Sequence, residues 1–424
     1  MPSFMSSPIL ANVHSEIGEL ECVLVHTPGE EVEKMSPTNA HWALYSDIIS
    51  RQEAQKEHAP FKGALGKISR VLEVKDLLRE VLEQPEPKAE LLAAVCPEEY
   101  PGLLEELKAQ DANLLASRLI EGVERPTGRL ADFQNGQRFA IPPLFNLFFM
   151  RDASMTVFNS VLLGSMASEV RRGEIAVLNA IYRYSKTIRA AVLDPRTVKG
   201  AHDLRVEGGD VHIAREDILL VGNGLRSSAE GVDYLVGQLL EKGLEKPLHV
   251  LVQELPHAPE SFIHLDMVFT LLDRDRCMVY APLILHSPQF HTIHLEVEPS
   301  GKRHIRYEHS LVDALRGLGM PLESVLCGGA ENGWNPDREQ WHSGANFFSF
   351  APGKIFGYAR NTHTIEALSQ NGFRVLRAAD VANGKVNPME GGRCVVTLDG
   401  NELPRGGGGC RCMTMPFARR RVEW

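Results

Sequence analysis

Apolar and polar positions recur in a fixed order along most of the chain from residue 143 onward. An apolar strand, a tight polar turn, a second strand, an amphipathic helix and a third strand follow one another. The order is clearest over residues 205–255, where RVEGGDVHIA turns at 215–217 into ILLVGNG, and AEGVDYLVGQLLEKG leads to PLHVLVQEL. Ser227 and Ser228 precede the helix and are typical N-cap residues. We therefore predict a ββαβ unit here.

Four more stretches follow the same order. The first is LFNLFFMRDASMTVF, which we read as a strand turning at Asn159-Ser160 into VLLGSM and the helix RRGEIAVLNAIYRYS. Another begins HLDMVFTLLDRDRCMVYAPLIL, and the next begins ANFFSFAPGKIFGYARN. A hairpin in CVVTLDGNEL, turning at Asp399-Gly400, leads to CRCMTMPF, which completes a unit with the early strand LECVLVH. About five such units predict a ring or stack, and a ring leaves a central cavity.

Residues 74–138 have a different pattern. KDLLREVLEQ, PKAELLAAVC, YPGLLEELKAQ and NLLASRLIEG are short helical patterns punctuated by prolines. We therefore predict a helical insertion at 74–138, with 1–73 and 139–424 forming the catalytic part of the chain. The charged surface of these helices is that of ordinary solvated helices, and we infer no activity from it.

Composition narrows the class of partner. A formal charge of −10 over 424 residues disfavours a nucleic-acid groove. No apolar run reaches the length of a membrane span, and the first residues lack the features of a signal peptide. Seven scattered cysteines do not match a disulfide framework or paired zinc ligands. We expect a cytoplasmic protein with reduced thiols that acts on a small molecule and binds neither a membrane nor nucleic acid. A homo-oligomer is possible, and the sequence does not decide it.

Charged residues stand where half-buried strands should end. They are Arg151 and Asp152, Glu207 and Asp210, and His264 and Asp266. A carboxylate buried without a partner costs several kcal/mol, so recurrent carboxylates beside apolar strands imply shared partners or a cationic ligand. Any one of them alone is more simply a turn or ion-pair residue. Together they predict a site.

Two of these groups have informative local sequences. In HLD, strand alternation would place His264 and Asp266 on the same face. A lone histidine is usually structural, but one held beside a carboxylate is a plausible acid–base group. The glycine pair between Glu207 and Asp210 permits backbone geometry that would direct both carboxylates toward a ligand, with a strand bulge as the alternative.

The segment RGGGGCRCM places four glycines beside two thiols. A thiol pKa falls when a cation is near, and Arg411 or a cationic substrate would provide one. If this segment is extended, Cys410 and Cys412 point to the same side, so geometry alone leaves both as candidate nucleophiles. A redox pair or a zinc fragment is the alternative, although the second cysteine pair of a zinc site is missing.

Taken together, these motifs resemble those of the arginine deiminases over most of the chain outside the helical insertion. The similar segments, in order, are IGELECVLVHTPGEE, NLFFMRD, RRGE, EGGD, HLDMVFTLLDRD, REQWHSGAN and RCMTMP. The resemblance implies an α/β fold, a five-bladed pseudosymmetric α/β propeller of ββαβ units with an inserted helical subdomain. It also implies hydrolysis of L-arginine to L-citrulline and ammonia through a covalent cysteine thiouronium, with no metal and no organic cofactor.

The resemblance also implies roles for individual residues. Cys412 would be the nucleophile, Glu207 and His264 the acid–base groups, and Asp152 and Asp266 the guanidinium clamp. Contacts to the other end of the substrate would come from Asn146, Phe149, Arg171, Asp210 and Arg226. Two positions depart from the family pattern: Met150 replaces the usual threonine of F-T-R-D, and the glycines at 406–409 lack a second arginine that members often have.

Two alternatives stay open. An amidinotransferase, or a deiminase of another guanidino compound, would use the same thiol and clamp. Arg171 and Arg226 favour a substrate with a free carboxylate, and hence arginine over agmatine. A non-catalytic arginine-binding scaffold would keep the propeller, but an intact set of Cys412, His264 and Glu207 argues against it.

Overall fold

A computed structural model describes residues 7–125, 138–200 and 203–424 of the chain. Its strands are β1 (Ile9–Leu10), β2 (Leu20–Val25), β3 (Arg70–Glu73), β4 (Val123–Glu124), β5 (Phe139–Ile141), β6 (Ser154–Val157), β7 (Ser160–Leu163), β8 (Ile188–Arg189), β9 (Ala191–Leu193), β10 (Val211–Arg215), β11 (Ile218–Asn223), β12 (Leu248–Glu254), β13 (Phe269–Asp273), β14 (Arg276–Val279), β15 (Thr292–Val297), β16 (Arg303–Glu308), β17 (Glu323–Leu326), β18 (Phe348–Ala351), β19 (Lys354–Tyr358), β20 (Arg374–Arg377), β21 (Cys394–Leu398) and β22 (Met415–Arg419). Its α-helices are α1 (Glu30–Glu33), α2 (Arg51–Ile68), α3 (Val74–Leu82), α4 (Pro85–Val95), α5 (Pro101–Lys108), α6 (Ala112–Glu121), α7 (Met150–Ala153), α8 (Arg172–Tyr184), α9 (Ala229–Glu241), α10 (Ala281–Ile284), α11 (Leu311–Gly317), α12 (Trp334–Trp341), α13 (Thr362–Gln370) and α14 (Ala378–Ala382).

Five of the sheets repeat one strand order, in which an antiparallel pair is followed by a strand parallel to its second member. The five sets are β6-β7-β9, β10-β11-β12, β13-β14-β17, β18-β19-β21 and β22-β2-β3. In each, a helix lies between the second and third strands in sequence: α8, α9, α11, α13 and α2. The predicted ββαβ order is therefore present five times, and the last unit combines the two ends of the chain as expected.

Two parts of the sheets differ from the prediction. Instead of turning back as a hairpin at Asp399-Gly400, β21 lies between β19 and β20 and is parallel to both. The N–H groups of residues 401–403 donate to the carboxylate of Glu57, at 2.6–3.0 Å, so no return strand pairs with them. The hairpin β15–β16, which the pattern did not predict, extends the second sheet to five strands.

Two predicted strands are helical turns. Residues 144–153 form turns and α7, and the strand of this unit begins only at Ser154. The HLD segment ends in the 3-10 helix Leu265–Met267, and β13 begins at Phe269. Residues 144–153 are buried throughout, so their apolar run has no periodicity that separates strand from helix.

The helices α3–α6 lie where the four helical patterns predicted them. Helix α3 buries residues at three- and four-residue spacing, which join one hydrophobic cluster with Ile175 and Leu178 of α8. Residues 126–137 of the predicted insertion lie outside the described residues. Within the described part of the chain, no helix is long and apolar enough to cross a membrane.

Candidate active site

The segment that contains Cys410 and Cys412 precedes β22 and is folded into tight turns. Met413 N–H donates to Gly409 O, and Thr414 N–H donates to Arg411 O. The segment is therefore not extended, and the geometric tie between its two thiols is removed. Cys412 lines the cavity described below. Cys410 does not line it, and burial raises the pKa of its thiol.

The glycines before Cys412 serve close packing. A Cβ on Gly408 would lie 2.5 Å from Phe149 Cε1, and one on Gly409 would lie 2.6 Å from Asn346 Oδ1. Gly407 alone of this run has a positive φ, 85°. In EGGD, a Cβ on Gly209 would lie 2.6 Å from His264 Cγ. These glycines allow other chain segments to approach the site.

Two carboxylates lie close to Cys412: Asp152 lines the same cavity, and Asp266 is buried beside the sulfur. The oxygens of Asp266 lie 3.7 and 3.9 Å from Cys412 Sγ, and Oδ2 also accepts a hydrogen bond from Arg411 Nη1 at 2.8 Å. Asp152, on α7, accepts from Arg171 Nη1 at 2.6 Å through Oδ2. Its Oδ1 is buried without a hydrogen-bond partner, 3.6 Å from His264 Nδ1. Their arrangement suits a planar cation with several N–H donors.

His264 and Glu207 form a buried pair. His264 Nε2 lies 2.9 Å from Glu207 Oε2, and Ala167 N–H donates to Glu207 Oε1 at 3.0 Å. Burial alone would lower the pKa of His264, but the carboxylates of Asp152, Glu207 and Asp210 raise it to about 9. Burial would raise the pKa of Glu207, but Arg226 and His264 lower it to about 2. At neutral pH the pair is an imidazolium and a carboxylate.

The sulfur of Cys412 is less acidic than the sequence suggested. Burial, and then the carboxylates of Asp266 and Asp152, raise the pKa of its thiol well above the usual value. Arg411 acts in the opposite direction but more weakly, because its guanidinium is paired with Asp266 and Glu16. The sequence offered two cations that could lower the thiol pKa, Arg411 and a cationic substrate. Arg411 by itself does not lower this pKa enough to give a thiolate.

Arg171 and Arg226 both line the cavity, and each pairs with a carboxylate of this region. Arg171 Nη1 pairs with Asp152, while its Nε and Nη2 donate to Glu174 at 3.0 and 2.8 Å. Arg226 Nη1 lies 3.7 Å from Glu207 Oε1, and Arg226 Nε is buried without a hydrogen-bond partner. Arg226 therefore has donor capacity left for a ligand.

Asp210 supports the turn that carries His264 and Asp266. Its Oδ1 accepts the N–H of Leu265 at 2.9 Å, and its Oδ2 has no hydrogen-bond partner. Burial raises the pKa of Asp210 to about 7. Its hydrogen bond through Oδ1 goes to this turn, and the substrate contact that the resemblance implied stays a prediction.

Seven of the ten predicted residues line one cavity of about 30 Å³: Asn146, Phe149, Asp152, Arg171, Arg226, His264 and Cys412. Glu207, Asp210 and Asp266 contact residues of this set or their immediate neighbours. An outer cavity of about 380 Å³ adjoins it, and the two share Leu44, Arg226, Ile263, Gly406 and Gly407. The structure thus brings all ten residues into one region.

Sequence reasoning missed two buried residues of this region. Glu16 accepts from Arg411 Nε and Nη2, both at 3.1 Å, and so fixes the arginine that holds Asp266. Asn346 donates to Cys412 Sγ at 3.1 Å. The motif REQWHSGAN, which ends at Asn346, was a signal for the second; nothing in the sequence around Glu16 singled it out.

The chain is similar to known proteins in both sequence and fold. The family model described as arginine deiminase matches residues 42–419. The arginine deiminase of Streptococcus pneumoniae (strain Hungary19A-6) is 30% identical over 98% of this chain and 100% of the relative.

Two solved structures share the mixed α/β fold at low identity. The N-terminal domain of ArgZ, a cyanobacterial arginine dihydrolase, has a TM-score of 0.54 and 14% identity, covering 95% of this chain and 99% of that chain. SxtG, an amidinotransferase from Microseira wollei, has a TM-score of 0.53 and 12% identity, covering 97% and 98%. Because the family model spans most of the sequence and a full-length relative shares 30% of its residues, the chain belongs to the arginine deiminase family.

Proposed function

We propose that this protein hydrolyses L-arginine to L-citrulline and ammonia, with Cys412 as the nucleophile. The observation that carries the proposal is the position of Cys412 Sγ, 3.7 Å from one clamp carboxylate in the cavity that Asp152 and His264 also line. Membership of the arginine deiminase family and the S. pneumoniae relative support this reaction.

The two carboxylates suit the guanidinium group. Its central carbon is deactivated by resonance, and it stays protonated at physiological pH. Asp152 Oδ1 lacks a hydrogen-bond partner, and Asp266 faces the sulfur, so both can accept N–H donors of one planar cation. A bidentate clamp holds the carbon over Cys412 and discriminates against an ammonium. The positive charge also offsets the carboxylates that keep the thiol neutral, and so favours the thiolate.

The protonation states assign the acid–base steps. The thiolate attacks the guanidinium carbon and forms a C–S bond, and the imidazolium of His264 gives its proton to the departing nitrogen, which leaves as ammonia. A thiouronium on Cys412 remains. Water then adds to its carbon and gives a proton back to His264, with Glu207 orienting the ring. Breaking the C–S bond forms the carbonyl of citrulline, and the O–H proton of the adduct passes to the departing sulfur, which restores the Cys412 thiol. The proton that the thiol lost at the start combines with the ammonia in solution.

The arginines of the cavity support selection of an amino acid. Arg226, with an unpartnered buried Nε, is positioned for the substrate carboxylate, together with Arg171, Asn146 and Phe149. Arg171 already pairs with Asp152, so it would link the carboxylate contact to the clamp. Agmatine lacks the carboxylate and would leave the buried Nε of Arg226 without an acceptor.

The same proposal includes the arrangement of the chain. We infer that the five ββαβ sheets surround the cavity as a pseudosymmetric propeller, because the segments that follow or precede their strands all contribute to it. Residues 74–138 would be an inserted helical subdomain, with 1–73 and 139–424 as the catalytic part. All seven cysteines are unpaired, which suits the reducing cytoplasm.

Product analysis tests the proposal. Purified protein incubated with L-arginine should release ammonia and citrulline in equal amounts, and agmatine should be a poor substrate. Addition of glycine as an amine acceptor should not divert the amidino group, since that outcome would identify an amidinotransferase. Absence of ammonia from arginine, with a folded protein, would overturn the proposal.

A further inference from the structure

Asn346 contacts the nucleophile through both ends of its side-chain amide. It precedes β18 and is 1% exposed. Its Oδ1 accepts the main-chain N–H groups of Arg411 at 2.9 Å and Cys412 at 3.2 Å. Its Nδ2 donates to Cys412 Sγ at 3.1 Å and to Asp266 O at 3.2 Å. One side chain therefore fixes the backbone and the sulfur of Cys412 and the turn that carries Asp266.

The neighbours determine which way the amide points. Two main-chain N–H donors face one end, and only an oxygen can accept from both. The other end must then be the NH₂ group, and it faces the sulfur of Cys412 and the oxygen of Asp266. A flipped amide would place donors against donors, so the N–H directed at the sulfur follows from the hydrogen-bond network.

This donor is directed at a sulfur beside two carboxylates that oppose its ionisation, and Arg411 acts only weakly in the other direction. Asp266 and Asp152 both raise the pKa of the Cys412 thiol, in addition to burial. A hydrogen bond donated to the charged form of a group favours that form. Asn346 can donate without adding a positive charge that would compete with a guanidinium for the clamp.

We propose that Asn346 is a further catalytic residue, whose amide N–H stabilises the Cys412 thiolate while its carbonyl oxygen fixes the nucleophile's backbone. The inference rests on the proposed function, in which Cys412 is the nucleophile. Gly409 supports it, because a Cβ there would lie 2.6 Å from Asn346 Oδ1 and would push the amide away from this segment.

The test compares Asn346→Asp with wild type in the pH dependence of Cys412 alkylation by iodoacetamide, followed by peptide mass analysis. Aspartate keeps the size and the accepting oxygen but has no N–H when ionised. At neutral pH, we expect at least ten-fold slower alkylation of Cys412, a profile displaced to higher pH, and a lower kcat with little change in KM. Asn361→Asp is the matched control, because Asn361 is a buried asparagine that donates to His342 O.

A second variant guards against misfolding. Asn346→Ala removes the donor without adding charge, and thermal melting identifies the folded samples to be compared. Alkylation of Cys412 at the wild-type rate and pH in either folded variant would overturn the inference. The measurement does not depend on arginine turnover. If wild type releases no ammonia but the variants still alkylate slowly, the proposed function fails while the effect of Asn346 on the thiolate stands.

Discussion

Two buried histidines in this molecule have a pKa of about 9, and they lie in different surroundings. His264 is held by Glu207 and by Asp152, beside Cys412. His26 lies 3.0 Å from Glu31 through Nε2 and 3.4 Å from Glu73 through Nδ1. In each, burial would lower the pKa, and two or more carboxylates outweigh it.

The two surroundings differ in whether the carboxylate oxygens already accept hydrogen bonds. Glu73 accepts from Thr27 N–H at 2.7 Å, from Thr27 Oγ1 and from Lys62 Nζ, and Glu31 accepts from Gly29 N–H at 2.7 Å. Around His264, Asp152 Oδ1 and Asp210 Oδ2 are buried without hydrogen-bond partners, and the cavity borders Asp152. A raised histidine pKa therefore indicates buried carboxylates around both His264 and His26, and does not by itself identify an active site. Unused acceptors beside a thiol and a cavity mark the candidate site.

The largest difference between the residues around His264 and those around His26 is expected when the thiol of Cys412 is removed. Cys412→Ser should lower ammonia release by more than about a thousand-fold, because an alcohol is a far weaker nucleophile at neutral pH. Cys410→Ser should keep most of the activity, since Cys410 does not line the cavity that Cys412 lines. The assay is kcat with saturating arginine. Near-normal turnover by a Cys412→Ser enzyme would contradict the assignment of the chemistry to Cys412 and the residues around His264.

A smaller loss is expected from substitution of Arg226, which also lines the cavity. Arg226→Ala should lower kcat/KM for arginine by about 2–5 kcal/mol of transition-state stabilisation, because the substrate carboxylate would lose a buried charged donor. With agmatine the same substitution should have a much smaller effect. The paired kcat/KM values measure this; equal processing of arginine and agmatine by wild type would contradict the assignment of Arg226.

The cluster around His26 should contribute to stability and not to chemistry. Its folded pKa of about 9 exceeds the ordinary 6.5, so its contribution is complete below pH 6.5 and is lost as pH rises through 9. His26→Gln should lower the free energy of unfolding by about 3 kcal/mol at low pH, with the deficit shrinking above pH 9. Urea unfolding at several pH values tests this. The kcat should stay within about two-fold of wild type; a large fall in kcat of the folded variant would mean that the two clusters are not functionally separate.

The smallest effect is expected from chelation. The proposed chemistry uses a substrate cation, two carboxylates and a thiol, and no step requires a Lewis acid. Exhaustive treatment with a chelator should leave the rate of citrulline formation unchanged. Loss of activity that one added divalent ion restores would contradict the mechanism.

The sequence predicted the repeated unit best over residues 205–255, where polar turn and cap residues separate the elements. The strands β10, β11 and β12 are almost wholly buried, but the turn at 215–217 and the serines before α9 delimit them. Ser228 caps α9 by accepting from Gly231 N–H, as expected. Residues 144–153 and the turn after His264 are buried without a periodicity that separates strand from turn, and both were assigned to strands. Pairing between distant segments, as for β21 between β19 and β20, is set by packing that no local pattern contains.

The candidate site was predicted for a different reason. Charged residues beside apolar strands are costly, so Asp152, Glu207 and Asp266 are conspicuous in the amino-acid sequence alone. Asn346 is neutral, and its importance depends on a distance to Cys412 across 66 residues of sequence. The tie between Cys410 and Cys412 rested on an extended backbone, and turns replace it. Side chains whose role depends on distant partners require the fold.

The most direct measurement is a search for the covalent intermediate. Wild-type protein turning over arginine is quenched with acid, digested, and analysed by peptide mass spectrometry, with the Cys410→Ser enzyme treated in parallel. We predict that the peptide containing residue 412 gains the mass of arginine less ammonia, and that fragmentation places it on the Cys412 sulfur in both proteins. An adduct on Cys410, or active turnover with no adduct on either thiol, would contradict the account.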